Sequence, residues 1–190
     1  VGNIQQTLKS IIKKVLKKSP MLVKSLPAKG SMLVSWNSTG GYMLEFVKKV
    51  MCALENDPGV TTRRDAITGL RPLGLDDFGY ILLSMPDPEY PKLSGLLPAM
   101  ASGEVQRNWT GNHGLPLLQQ TTAFVRALSY HYTRVTGRQM DDASVLDFGC
   151  GYGRIARLLY YFTGEEHVYG VDPWDQAIDL CRKSGLCANF

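Results

Sequence analysis

Apolar positions recur at helical spacing in three stretches of the chain. Ile4, Leu8, Ile11, Ile12, Val15 and Leu16, interleaved with Lys9, Lys13, Lys14, Lys17 and Lys18, predict a basic amphipathic helix over residues 3–18 that Ser19-Pro20 stops. Tyr42, Leu44, Phe46, Val47, Val50, Met51 and Leu54 predict a second over 42–54, ahead of the turn Asn56-Asp57-Pro58-Gly59. Leu117, Leu118, Thr121, Phe124, Val125, Leu128, Tyr132 and Val135 line one side of a long helix over about 117–136, with Gly137 placed to end it. Short solid apolar runs mark strands instead. Val145–Phe148 reads as a buried strand and His167–Val171 as a second, while 75–84 reads as a turn entering a short strand. The remaining segments are connectors: 27–41 is rich in Gly, Ser and Pro, 85–98 is extended or irregular because of its prolines, and 104–114 is a polar loop holding Trp109.

Composition narrows the class. With 190 residues, 44% hydrophobic and 20% charged, the chain is that of a soluble globular protein with one substantial core or a core plus an appended region. The net charge of +4 is unevenly spread, because residues 1–29 hold seven lysines and no acid, leaving the rest near −3. No apolar run reaches the roughly 18–20 residues of a spanning helix, and lysines interrupt every apolar cluster near the start, so neither a membrane span nor a secretory signal is expected. Cys52, Cys150, Cys181 and Cys187 form no CxxC pair, which predicts four reduced thiols in a cytoplasmic protein. The basic helix Ile4–Lys18 packs on the body or makes a weak anionic-membrane contact; no strong nucleic-acid signal accompanies it. His113, His131 and His167 are scattered, and no metal site is expected; His113, within the 104–114 loop, is a candidate base. The acids Asp76, Asp77, Asp87 and Glu89 have no fixed mutual geometry and read as turn and loop residues.

The chemistry concentrates after the first strand. Gly149, Gly151 and Gly153 alternate within five residues, which lets the backbone turn tightly and a ligand approach it. A helix expected from near Tyr152, with Ile155, Ala156, Leu158, Leu159 and Phe162 inward, would aim its free amides at the same spot. The second strand ends on Asp172, whose carboxylate can accept two vicinal hydroxyls, and a helix over 175–185 follows. Asp147 adds a negative charge that repels a pyrophosphate and attracts an ammonium and a sulfonium. The dinucleotide fingerprint is also broken, because Arg154 stands where its third glycine belongs.

The pattern Asp147-Phe148-Gly149-Cys150-Gly151-Tyr152-Gly153, with Asp172 closing the second strand, resembles motif I and its following acid in the class I S-adenosylmethionine-dependent methyltransferases. The resemblance runs from about residue 144 to 185. It implies S-adenosyl-L-methionine as cofactor, with Asp147, Phe148, Gly149, Cys150, Gly151 and Gly153 around its methionine part. Asp172 would take the ribose hydroxyls, and Pro173 and Trp174 the flanks of the adenine. Adding Trp109, Thr110 and Gly111, the chain looks like a bacterial-type methyltransferase acting on a small-molecule or glycan acceptor. The implied fold is α/β: a mainly helical N-terminal region over 1–100, made of the basic helix and a mixed α/β part, then the first part of a Rossmann-like methyltransferase domain over 101–190. That domain is incomplete after its second strand, since the family uses about seven. A fragment, or a chain completed by elements from elsewhere and inactive alone, is therefore expected. Two other readings stay open: an NAD-dependent oxidoreductase-type nucleotide-binding domain, and a non-enzymatic membrane or nucleic-acid binding module using the basic helix. The catalytic residues and acceptor are not legible.

Overall fold

The computed structural model describes residues 45–141, 143–186 and 189–190. The basic helix expected over 3–18, the connector over 27–41 and Cys187 lie outside these residues. The described residues form one compact unit, mainly helical, around a two-stranded parallel sheet. In chain order the helices are α1 Glu45–Asn56, α2 Arg63–Leu70, α3 Leu75–Ser84, α4 Pro91–Leu96, α5 Gly103–Thr110 and α6 Gly114–Thr136. Strand β1 Val145–Phe148, helix α7 Ala156–Leu159, the 3-10 turn Glu165–His167, strand β2 Val168–Val171 and helix α8 Asp175–Lys183 follow. No described helix is long and apolar enough to cross a membrane.

Three segments not expected to be helical contain helices. The segment read as a strand, Leu75–Ser84, is a helix. Its buried residues Leu75, Phe78, Ile81 and Leu82 follow the helical period, and Asp76 and Asp77 sit in the first turn, where the helix dipole favours acids. Gly79 lies on the inward face, where an added Cβ would come within 2.9 Å of Leu118 Cδ1 and 3.1 Å of Leu158 Cδ2. Such close passage lets α3 pack on both α6 and α7. The proline-rich 85–98 stretch contains a short helix, α4, because Pro91 stands at the start of its first turn, where a missing N–H costs nothing. The polar loop expected over 104–114 is mostly helix α5. Ser102 caps it by accepting from the Val105 amide at 3.3 Å, and Gly111, at φ 76°, ends it in the left-handed region.

The core joins the early helices to the strand unit. Met51, Leu70, Phe78, Ile81, Leu82 and Leu93 pack in one cluster with Leu158, Leu159, Tyr160 and Val168. Polar ties run the same way: Arg71, the residue that caps the C-terminus of α2, donates from Nε to the Tyr160 carbonyl at 3.0 Å and from Nη2 to the Thr163 carbonyl at 2.7 Å. The half-buried Arg63–Glu165 pair at 3.3 Å and the exposed Arg64–Glu166 pair at 2.7 Å add to this seam, the exposed pair weakly because water screens it.

The strands pair in parallel, Val145 with Val168 through Phe148 with Val171. Asn189 bridges the far side of β2, its amide donating to the Val168 carbonyl at 3.0 Å and its carbonyl accepting from Gly170 at 3.0 Å. The strand read as buried is covered on one face only. Asp147 and Val168 point inward, whereas Leu146, Phe148, Tyr169 and Val171 are exposed, Phe148 by 84%. A strand hydrophobic on both faces stays open on one when no layer among the described residues covers it.

Candidate functional site

The glycine loop is built by its own backbone. The Gly149 and Cys150 amides both donate to the Val171 carbonyl, at 2.8 and 3.1 Å, so the chain leaving β1 folds across the end of β2. The Gly153 amide donates to the Cys150 carbonyl at 2.9 Å, closing the turn. The Gly151 amide donates to Asp172 Oδ2 at 2.9 Å, while Asp172 Oδ1 accepts from the Trp174 amide at 3.0 Å. Gly149, Gly151 and Gly153 all have φ between 55° and 77°, a range open to glycine and costly for any residue with a Cβ. Their alternation is what this loop requires.

The helix expected to open near Tyr152 starts instead at Ala156 and lasts one turn. The chain spends residues 151–155 in turns before it enters the helix.

A cavity of about 500 Å³ opens beside the loop, lined by Asn108, Trp109, Thr110, Gly149, Cys150, Gly151, Tyr152, Arg154, Ile155, Asp172 and Trp174. Its size is that of ordinary ligand pockets, about 300–1,000 Å³. Seven of the sequence-derived candidates meet on its wall: Trp109, Thr110, Gly149, Cys150, Gly151, Asp172 and Trp174. Five do not line it. Asp147 lies beneath, Phe148 projects from the open sheet face, Pro173 is exposed, and Gly111 caps α5. Gly153 is a packing residue, since a Cβ there would overlap Leu186 Cδ2. His113 is exposed, contacts Arg107 at 2.6 Å through Nε2, and is not on the wall.

Asn108, Tyr152, Arg154 and Ile155 join the wall without having been singled out as site residues. Tyr152 and Arg154 could have been named from their places inside the loop; Asn108 follows only from the helical phase of α5. Arg154 donates from Nη1 to Thr121 Oγ1 at 2.7 Å, which fixes its guanidinium against α6. The aromatic wall is a cluster: Trp109 lies 4.5 Å from Trp174 and 5.9 Å from Tyr152, ring centre to ring centre. Gln106 holds α5 in place, donating to the Ala101 carbonyl at 2.7 Å and accepting from the Gly114 amide at 3.0 Å.

Asp147 is 9% exposed, and its Oδ2 has no hydrogen-bond partner. Burial pushes its carboxyl above the ordinary Asp value, and nearby Asp172 adds to the shift; the Ala156 amide and the Arg154 guanidinium pull the other way. A raised folded-state value means the protonated form's stability is present at acid pH and lost as pH rises through that value. Asp147→Asn is therefore expected to raise the melting temperature at pH 7 by about 2–4 °C, the equivalent of about 1 kcal/mol. The gain should shrink as pH falls toward the ordinary value of 3.8, where the wild-type carboxyl protonates. A melting-temperature difference that does not change between the two pH values would refute this account of the buried charge.

The fold around this cavity is a strand, glycine loop, short helix and strand ending on an acid. Residues 146–189 match a protein-family model described as a methyltransferase domain, and this segment is class I S-adenosylmethionine-dependent methyltransferase-like. No curated protein and no solved structure matches the chain.

Proposed function

We propose that the cavity binds S-adenosyl-L-methionine and that the chain takes part in methyl transfer to a small-molecule or glycan acceptor. The observation that carries this reading is the state of the loop's amides. Those of Gly149, Cys150, Gly151 and Gly153 are all engaged within the protein, and two carboxylates, Asp147 and Asp172, lie beside them. Such a loop is a poor cradle for a pyrophosphate, which needs free amides and no nearby anion. It suits a ligand with a cationic end and a ribose.

Asp172 would accept the ribose hydroxyls with the lone pairs its two amide contacts leave free. The unpartnered Asp147 Oδ2 supplies negative charge near the methionine end, and Trp109 and Trp174 offer aromatic surface to the adenine. When bound, the cofactor supplies a methyl group on a sulfonium, transferred by in-line displacement. The protein's part in that step is to align the partners and exclude water. The strand unit is then the opening part of a Rossmann-like domain.

Titration calorimetry with S-adenosylmethionine, S-adenosylhomocysteine and NAD tests the assignment. The two sulfur nucleosides should bind at one site and NAD should give no heat. Binding of NAD in preference to either would replace this reading with the dinucleotide one.

A further inference from the structure

Two buried thiols meet under the floor of the cavity. Cys150 comes from the glycine loop and Cys181 from α8, and both are free thiols. Cys181 Sγ donates to the Gly151 carbonyl at 3.2 Å, and Cys150 Sγ approaches the same oxygen at 3.8 Å, so both sulfurs lie against one carbonyl. Cys181 is fully enclosed, and Cys150, itself 4% exposed, belongs to the loop that lines the cavity. The Gly151 peptide between them is the one whose amide holds Asp172.

We propose that Cys150 and Cys181 are an oxidative modification site: a small peroxide entering the cavity converts them to a disulfide that distorts the Gly151 peptide and abolishes cofactor binding reversibly. The inference rests on the cofactor reading above for its consequence, but not for the bond itself.

Contact with Cys150 and the nearby Arg157 guanidinium lower the Cys181 thiol, while contact with Cys181 and burial push the Cys150 thiol well up, so the first proton leaves from Cys181. The reactive form is the minor one, in which the Cys150 proton has passed to Cys181 and the thiolate lies on Cys150. That sulfur attacks one peroxide oxygen, the O–O bond breaks, and a sulfenic acid and one water result. The Cys181 sulfur then displaces the sulfenic hydroxyl, which leaves with the Cys181 proton as a second water. Two thiols have lost two electrons and two protons, and one peroxide has become two waters. The new S–S bond, about 2.05 Å long, draws together two sulfurs now arranged around the Gly151 carbonyl and removes both S–H donors. Because the cofactor would cover Cys150, it should in turn protect the pair.

The test treats the reduced full chain with hydrogen peroxide and follows intact mass, disulfide-mapped peptides and S-adenosylmethionine affinity. The expected result is loss of two hydrogens in a Cys150–Cys181 cross-linked peptide and at least a tenfold fall in affinity. Dithiothreitol should reverse both, and prior addition of S-adenosylmethionine should slow the cross-link. Cys181→Ser should keep its affinity through the same treatment. Full oxidation of the exposed Cys52 while Cys150 and Cys181 remain thiols would overturn the proposal, as would a cross-link that leaves affinity unchanged. If the reduced chain binds no S-adenosylmethionine, the cofactor reading fails. The pair is then judged by the mapped cross-link and by a change in tryptophan emission from the cavity wall, absent in Cys181→Ser; lack of either overturns it.

Discussion

Replacing Arg157 by methionine is expected to destabilise the protein by about 3–5 kcal/mol, measured by chemical denaturation. Arg157 is 1% exposed, the largest side chain buried so completely. Its Nε donates to the Gly153 carbonyl, Nη2 to the Tyr152 carbonyl and Nη1 to the Ala99 carbonyl, each at 3.0 Å. One guanidinium thus ties the glycine loop to the segment entering α5. Burial lowers its pKa, and the enclosing charge comes from carbonyl dipoles and the neighbouring Cys181, Tyr152 and Tyr160. Methionine matches the stem and removes the charge, which recovers desolvation energy, but it strands acceptors in a dry interior. Charged hydrogen bonds contribute about 1.5–3 kcal/mol each, so losing three outweighs that recovery. Arg157→Lys should restore only part of the loss, because an ammonium cannot present the planar fork. A methionine variant within 1 kcal/mol of wild type would show that the clamp contributes little.

Asp172→Ala is expected to weaken S-adenosylmethionine binding by about 2–3 kcal/mol, or roughly 30- to 150-fold. Two losses combine. The ribose hydroxyls lose a charged acceptor, and the Gly151 and Trp174 amides lose the carboxylate that positions them. Asp172→Asn separates the two, since its amide oxygen can still accept from one backbone N–H while the charge is gone. Calorimetry should place its affinity between wild type and alanine. Unchanged affinity in Asp172→Ala would remove this residue from the ribose, whatever the fate of the loop.

How much of the cavity could be read from the chain follows from the range of the interactions involved. The loop candidates Gly149, Cys150, Gly151 and Asp172 come together because hydrogen bonds between neighbouring segments shape that turn. Trp109 and Thr110 also reach the wall, though on helix α5 where a loop was expected. The caps of that helix, Ser102 and Gly111, were available signals. Polar composition masked them, because Val105 and Trp109 are the apolar side chains of α5 and two positions do not establish a helical period. For Leu75–Ser84 a dense apolar run looked like a strand, and only packing against Leu118 and Leu158 shows the helical period in use.

By itself the sequence determined the chemistry of the loop: the alternating glycines permit positive φ, the acid after β2 supplies an acceptor, and Arg154 interrupts the dinucleotide spacing. Those are local properties, set by which backbone angles and charges each residue allows. Tertiary structure decided what surrounds the loop. It placed α5 as one wall, turned Gly153 toward Leu186 and away from the cavity, buried Arg157 as a clamp, and brought Cys181 against Cys150 across 31 positions of chain. Such meetings depend on how helices pack around a shared core, and no local pattern of residues encodes them.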